Sequence, residues 1–591
     1  MTPESHTASS DEALVRVRIE EERARLYREA GLEAPDSTPY QLETPRPFTK
    51  ADRHKVTILF GGLSRCHDRL IHAVGRSRGY KVETIPTPTR DDYHVGREFT
   101  NNGMCNPTYF TVGALISYLR RLRDERGLTP EQIRENYVFV TAASCGPCRF
   151  GVYESEYRLA LRNSGFDGLR VATFQQTKLT EMHEEFGIEL TPRVLLPVFE
   201  AVLIADILNA IAQHVRPYEH ERGRTDAALG EAMERMAALL STPPPEPEKP
   251  SIAARLIARC TGLAPRHIAY TISHCLGDRY TSALTEAVRA FDEVEVDYTR
   301  PRPVVKITGE FWAQTTEGDG NFRMFSFLEG QGAEVIGEPV STWFLYLIAQ
   351  AWAHVRDREG LTASGEPIAA RDLATRGREW IRNRAARIKL ALGYRLFMRE
   401  YERLRHAAGA TTPPQADQFE LARLAHPFYN RNCLGGEGHM EVGKTIYYAT
   451  HDLAHLVLSL KPFGCLPSTQ SDGAQAAVAA AFPCVSFLPI ETSGDGEINA
   501  YSRVQMALGE ARERCTEEFD ACLRRTGRSI DEIRRFVEGR PDLRSPFTPL
   551  PHVDGVAGRA ARFVIEAARR MDAAERNVTY GAARTPQSNS G

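Results

Sequence analysis

Two cysteines separated by Gly146 and Pro147 close a hydrophobic run, FVTAASCGPCRFG, over residues 139–151. Paired thiols at this spacing suit four readings. A CxxC at the start of a helix that follows a strand forms and breaks a disulfide when one thiol ionises readily. The same pair supplies half of a tetrahedral zinc site, but zinc asks for four ligands and the chain has no second CxxC. Thiolates also hold iron–sulfur clusters. The fourth reading is a turn that carries two inert thiols.

Three cysteines share a local grammar: Cys105-Asn-Pro107, Cys145-Gly-Pro147 and Cys465-Leu-Pro467. Proline favours the first turn of a helix, where backbone N–H groups point outward and stabilise a thiolate. Glycines at 103 and 464 flank the first and third, allowing close approach to something bulky. Cys260, Cys275, Cys515 and Cys522 fall in helical contexts, where a free cysteine behaves as a small hydrophobe. Cys66, beside His67, and Cys433, in the glycine-rich NRNCLGGEG, lack the Cys-x-Pro setting.

The elements that position these residues follow an α/β alternation. KVTILF (55–60) ends at Gly61-Gly62, a helix runs to Gly79, and KVETIP (81–86) follows as a βαβ unit. Helix 108–126, strand 137–142, helix 152–164 and strand 169–174 continue the pattern, so a doubly wound parallel sheet is expected. Residues 195–240 read as helical, and STPPPEPEKPS (241–251) as a linker, because proline fixes φ and removes a donor. A second α/β domain is expected over 301–575, with strands at 302–311, 333–340 and 485–491 and a helical insertion at 342–426. The expected organisation is thus an arm and connector at 1–52, a first α/β domain at 53–240 and linker helices at 241–300. The second α/β domain and a disordered tail at 576–591 complete it. Cys105, Cys145 or Cys148, and Cys465 then fall at the ends of strands in two domains, where ligands of open α/β sheets collect.

Bulk composition narrows the function classes. With 591 residues, several folding units are expected. Lys plus Arg is 74 and Asp plus Glu is 77, so the net charge of −3 offers no field for nucleic acid. No run of 18 consecutive apolar residues is present, and the N-terminus lacks the order of a secretory signal, so no membrane and a cytoplasmic location are expected. Eleven cysteines are too sparse for a disulfide scaffold.

Three further patterns invite over-reading. Gly438 to Thr445 fits GxxxxGK[ST], but PFYNRNCLGGE before it is no strand, so a phosphate loop is not expected. His451 and His455 are spaced as in zinc helices but lack the intervening catalytic glutamate, and packing is expected. Asp495 and Glu497 of GDGE read as a turn, with magnesium ligation the alternative.

Six separated segments carry a family resemblance: GREFTNNGMCNP (96–107), CGPCRFGVYE (145–154), RPYEHERGRTD (216–226), VVKITGEFW (304–312) with Asn321, KPFGCLPS (461–468) and ETSGDGEINAYSRVQ (491–505). In this order they resemble the activator-related proteins of the 2-hydroxyacyl-CoA dehydratase and benzoyl-CoA reductase system. Specifically, they resemble the C-terminal half of the large fused CoA-substrate-specific activase proteins, over roughly residues 50–530. The resemblance implies a cytoplasmic iron–sulfur protein of two Rossmann-like domains with inserted and peripheral helices. Its 4Fe-4S or related cluster would be held by Cys105, Cys148 and Cys465, with Cys145 as a candidate fourth ligand. It also implies an electron donor, an ATP-hydrolysing activator of the sugar kinase, heat-shock protein and actin class, and an acyl-CoA as candidate substrate. The nucleotide-binding domains of the fused proteins have no counterpart here, so that donor is expected to be a separate protein. Glu310, Arg149, Glu219 and Asn499 match motif positions without an assignable role, while HDLAHLVLSL (451–460) and TQSDGAQAAVAAAFPC (469–484) depart from the pattern. A CxxC oxidoreductase using Cys145 and Cys148, and a non-catalytic scaffold for an activator, are the competing functions.

Overall fold

The computed structural model describes residues 10–31, 46–143, 148–175, 186–247, 249–261, 264–362, 365, 367–433, 436–483 and 486–582. The chain forms two compact units, residues 1–46 and 47–591. The first unit carries the helix Ser10–Glu29, whose Val15, Val17, Ile19 and Leu26 are exposed. The arm expected to reach residue 52 stops earlier, because Phe48 is buried and meets Phe186 edge-on at 6.0 Å, while Thr49 bridges to Phe186.

The second unit contains two four-stranded, all-parallel sheets, as the α/β alternation predicts. Strands β1 (Thr57–Phe60), β2 (Lys81–Thr84), β3 (Tyr137–Ala143) and β4 (Arg170–Gln175) pair in the order β2-β1-β3-β4. Strands β5 (Val304–Gly309), β6 (Glu334–Ile336), β7 (Leu456–Pro462) and β8 (Phe487–Thr492) repeat it as β6-β5-β7-β8. Both are Rossmann-like.

Central strand β7 was not among the expected strands. A parallel strand covered on both faces normally reads as a continuous apolar run, and LVLSLKP is interrupted by Ser459 and Lys461. Both are nevertheless buried, because Glu441 serves them: Ser459 Oγ donates to it at 2.5 Å and Lys461 Nζ lies 3.2 Å from it. The crossover from β6 to β7 holds the expected helical insertion as Ser341–Asp357, Leu373–Ala407 and Gln418–Ala425. It adds a further helix, His439–Thr450.

The largest core among the described residues is built mainly from helices. It joins Leu70 and Val74 of helix Arg65–Ser77 to Leu208 and Ile211 of Pro192–Val215, and to Phe563 of Arg559–Ala582. The segment Pro192–Tyr218 is long and apolar enough to cross a membrane, but 67% of its most apolar window is buried inside the fold. Its Glu200 and Asp206 are held by His274 at 2.8 Å and His67 at 3.0 Å, a pairing that suits a core helix. Beyond the linker, helices Ile252–Thr261, Pro265–Leu276 and Arg279–Val288 form as expected. The last helix runs to Ala582, so the expected tail is helical over 576–582, and 583–591 lie outside the described residues.

Candidate functional site

Strand order reverses between β1 and β3 and between β5 and β7, and the loops leaving the carboxyl ends of such strands make the crevice where α/β folds take ligands. Cys105, between β2 and β3, is the N-cap of helix Asn106–Asp124, with Pro107 in its first turn. Cys148, after β3, is the N-cap of the 3-10 turn Arg149–Val152. Glu310, after β5, caps Phe311–Thr315, its carboxylate accepting from the Ala313 N–H at 2.9 Å. Cys465, after β7, is the N-cap of Leu466–Ala481, with Pro467 in the first turn. Cys148 and Cys465 therefore occupy equivalent places in the two sheets.

The loops meet across the two halves. The Asn106 N–H donates to the Phe463 carbonyl at 3.0 Å. Gly464 sits so close that a Cβ there would lie 3.1 Å from the Met104 carbonyl oxygen and 3.5 Å from Cys105 Cα; its φ of +76° also favours glycine. Gly436, at φ +63°, packs against Pro467, where a Cβ would fall 2.4 Å from the ring. This brings the glycine-rich loop beside the Cys465 helix and places Glu437 in the site. Glu437 accepts from the Phe311 N–H at 2.5 Å, next to Glu310.

Cys105 and Cys465 are buried and Cys148 half-buried, all three as free thiols. Burial pushes each of them up, Cys148 to about 12, and the nearby carboxylates Glu310 and Glu437 add to the rise at Cys148 and Cys465. The helix-start position does exist at Cys105 and Cys465, but the thiolate stabilisation expected from it is outweighed by burial. Two hydroxyls act the other way at Cys105: Tyr153 lies 2.9 Å and Thr108 3.5 Å from its sulfur. Tyr153 is itself raised well above the usual phenol range, by burial first, so its hydroxyl keeps its proton and can donate to an ionised sulfur. Burial raises Glu310 and Glu437 as well; among the described residues each has only backbone N–H groups as hydrogen-bond partners.

The donor set is thus three thiols, two carboxylates and a phenol in a dry crevice. The charges that weigh most on the thiols are acidic, and Lys444 is the basic side chain that senses Glu437. Such a pocket is electrostatically incomplete and fits a cationic, thiophilic group, which would draw the thiols into their ionised form. Among the described residues no three His, Cys, Asp or Glu side chains close on a single point as one metal ion requires. Thiols on three separate loops suit a polynuclear cluster, which takes each ligand on a different iron.

Cys145 lies outside the described residues. Cys66, Cys515 and Cys522 are buried in the shared core or beside it, and Cys433 is exposed. Tyr153 and Glu437 were not singled out as site residues, although Tyr153 lies within the CGPCRFGVYE motif. The sequence clue for Glu437 was a lone carboxylate amid glycines. Asn499 is exposed on helix Glu497–Thr526 and Arg149 is partly buried in the turn after Cys148. The P-loop-like residues do not form one: Lys444 is buried in helix His439–Thr450 and pairs with Glu338 at 2.8 Å. His455 Nδ1 accepts from the Val304 N–H at 2.9 Å, while exposed His451 stays at the helix end. Asp495 pairs with Arg90, and Gly494 packs on Tyr93, making GDGE a turn between halves. No protein-family model and no curated protein matches the chain.

Proposed function

We propose that this is an iron–sulfur protein that passes low-potential electrons to a reductase or dehydratase reaction, with Cys105, Cys148 and Cys465 holding the cluster. The observation that carries the reading is the junction of the buried Cys105 and Cys465 loops by the Asn106–Phe463 hydrogen bond, with Cys148 near enough to feel Cys105 and the raised carboxylates Glu310 and Glu437. A bound cluster, 4Fe-4S or related, supplies one-electron redox chemistry. The chain's own residues do the rest. Burial shields Cys105 and Cys465 from solvent, and the Tyr153 hydroxyl, 2.9 Å from the Cys105 sulfur, is placed to donate to it once that sulfur is ionised. The glycines at 436 and 464 let backbone pack where side chains would stand.

The sequence resemblance extends the reading to a separate ATP-dependent activator as donor, an acyl-CoA as substrate and a cytoplasmic setting. Exposed Val152, Phe463 and Leu466 flank the cysteine loops and give such a donor an apolar rim to dock on. Disulfide chemistry at Cys145 and Cys148 is the competing reading; it does not use Cys465, so Cys465→Ala separates the two. The test is anaerobic purification or reconstitution, followed by iron and acid-labile sulfide analysis and electron paramagnetic resonance of the reduced protein. Iron and sulfide in equal amounts with a cluster signal support the reading. Colourless, iron-free protein after reconstitution overturns it.

A further inference from the structure

A cavity of about 850 Å³ opens away from the thiol crevice, between helix Pro192–Val215 and the segments around β5 and β6. Its size is that of a small-molecule site. Its charged wall can be resolved residue by residue. Every carboxylate on it is already engaged. Asp206 accepts from the Val340 and Ser341 N–H groups at 2.7 and 2.9 Å, and Glu338 is held by Lys306 and Lys444. Asp226 and Glu329 hold Arg216, and Glu317 accepts from the Arg65 N–H at 3.0 Å. Glu219 accepts from the Gly223 and Thr225 N–H groups, both at 2.9 Å.

The guanidinium groups are not all matched. Arg216, Arg300 and Arg323 have carboxylate or carbonyl partners. Among the described residues, the side chains of Arg65, Arg222 and Arg302 make no ion pair or hydrogen bond; Arg65 and Arg222 are exposed, whereas Arg302 Nε is buried without a hydrogen-bond partner. The Arg302 guanidinium lies over Gly332, whose absent Cβ would fall 2.5 Å from Nη1; at φ +84° this glycine leaves room for the group. Burial pushes Arg302 below its ordinary range, and the neighbouring charges of Arg300 and Arg222 push in the same direction. Asp297 acts the other way but, among the described residues, forms no ion pair with it. A partly buried cation without a direct partner is costly, and a bound anion removes that cost.

The RPYEHERGRTD segment has no part in the thiol site, and here it has a use. The Glu219 carboxylate gathers two backbone N–H groups, and Gly223 turns at φ +90°, so residues 219–225 fold into a tight loop that sets Arg222 on the cavity wall. We infer that this cavity binds a phosphate-bearing small molecule, with Arg222 and Arg302 as its anion contacts. Guanidinium groups from two separate loops suit a group with several anionic oxygens, and planar forks match phosphate geometry. The remaining cavity, lined in part by Leu229, Met233 and Phe325, has room for the body of the molecule.

The probe is inorganic pyrophosphate, titrated calorimetrically into the full chain. One saturable site is expected in the wild type. Arg222→Gln and Arg302→Gln should each weaken it by roughly tenfold or more, the loss of a charge-assisted hydrogen bond, while Arg302→Lys recovers part. Neither substituted side chain has a partner to lose, and unchanged melting temperatures confirm intact folding. Arg289→Gln, off the cavity wall, should leave binding unaltered, and so should Cys465→Ala, which separates this site from the cluster. No saturable binding overturns the inference. So does binding indifferent to both cavity substitutions, or an equal loss in Arg289→Gln.

Discussion

The backbone N–H of Asn106 donates to the carbonyl oxygen of Phe463 at 3.0 Å, tying the residue after Cys105 to the residue two before Cys465. One thiol loop comes from the first α/β half and the other from the second. Their spacing is therefore set by main chain rather than by flexible side chains, which is how a multi-ligand site is preorganised.

Gly464→Ala tests that junction. The substitution forces a residue with a side chain to φ +76° and places its Cβ 3.1 Å from the Met104 carbonyl oxygen. The expected loss of stability is about 1–3 kcal/mol by urea unfolding of the metal-free protein. Iron retention after reconstitution should fall with it, because the Cys105 and Cys465 loops are pushed apart. Full iron content in the variant would show that the junction does not position the thiols.

Tyr153→Phe removes the hydroxyl 2.9 Å from the Cys105 sulfur. A donor to a ligating sulfur favours the more negative, reduced state, so its loss should lower the reduction potential. A differential of about 1 kcal/mol corresponds to roughly 40 mV for one electron. Potentiometric titration followed by paramagnetic resonance reads the shift. An unchanged or more positive potential would remove Tyr153 from the site.

Glu338 predicts the acid limb of stability. Burial pushes its carboxyl up, but Lys306 at 2.7 Å and Lys444 at 2.8 Å outweigh this and hold it at about 2, against 4.5 for the free group. A depressed acid contributes stability above its unfolded pKa, and loses it as pH falls from about 4.5 towards 2. That contribution is on the order of 3 kcal/mol. Burial pushes Lys444 down, and its pairing with Glu338 opposes that. Glu338→Gln should cost about 3–5 kcal/mol at neutral pH, by stranding two buried ammonium groups, and should flatten the slope between pH 4.5 and 2 in denaturant unfolding.

Much of this architecture was legible in the sequence. The apolar runs around β1, β3, β5 and β8 announced parallel strands, and proline after Cys105 and Cys465 announced helix starts. What escaped was whatever depended on long-range partners. Strand β7 was hidden by Ser459 and Lys461, which are polar in sequence and buried in the fold because Glu441 reaches them from helix His439–Thr450. Glu437 was hidden for the same reason: only the packing of Gly436 on Pro467 brings it beside Glu310. The thiolate character expected at the helix starts failed because local sequence shows a helix N-terminus but not the depth at which it is buried. In Arg302, too, the sequence shows a charge but not that its buried Nε lacks a hydrogen-bond partner.

The central claim is that Cys105, Cys148 and Cys465 serve one centre. Iron and acid-labile sulfide per chain, measured after identical anaerobic reconstitution of the wild type and of Cys105→Ala, Cys148→Ala and Cys465→Ala, test it most directly. The account predicts a cluster in the wild type and its loss in all three variants, including Cys465→Ala, whose substitution lies more than 300 residues from the CxxC in sequence. A Cys465→Ala protein with the wild-type iron, sulfide and paramagnetic signal would contradict it.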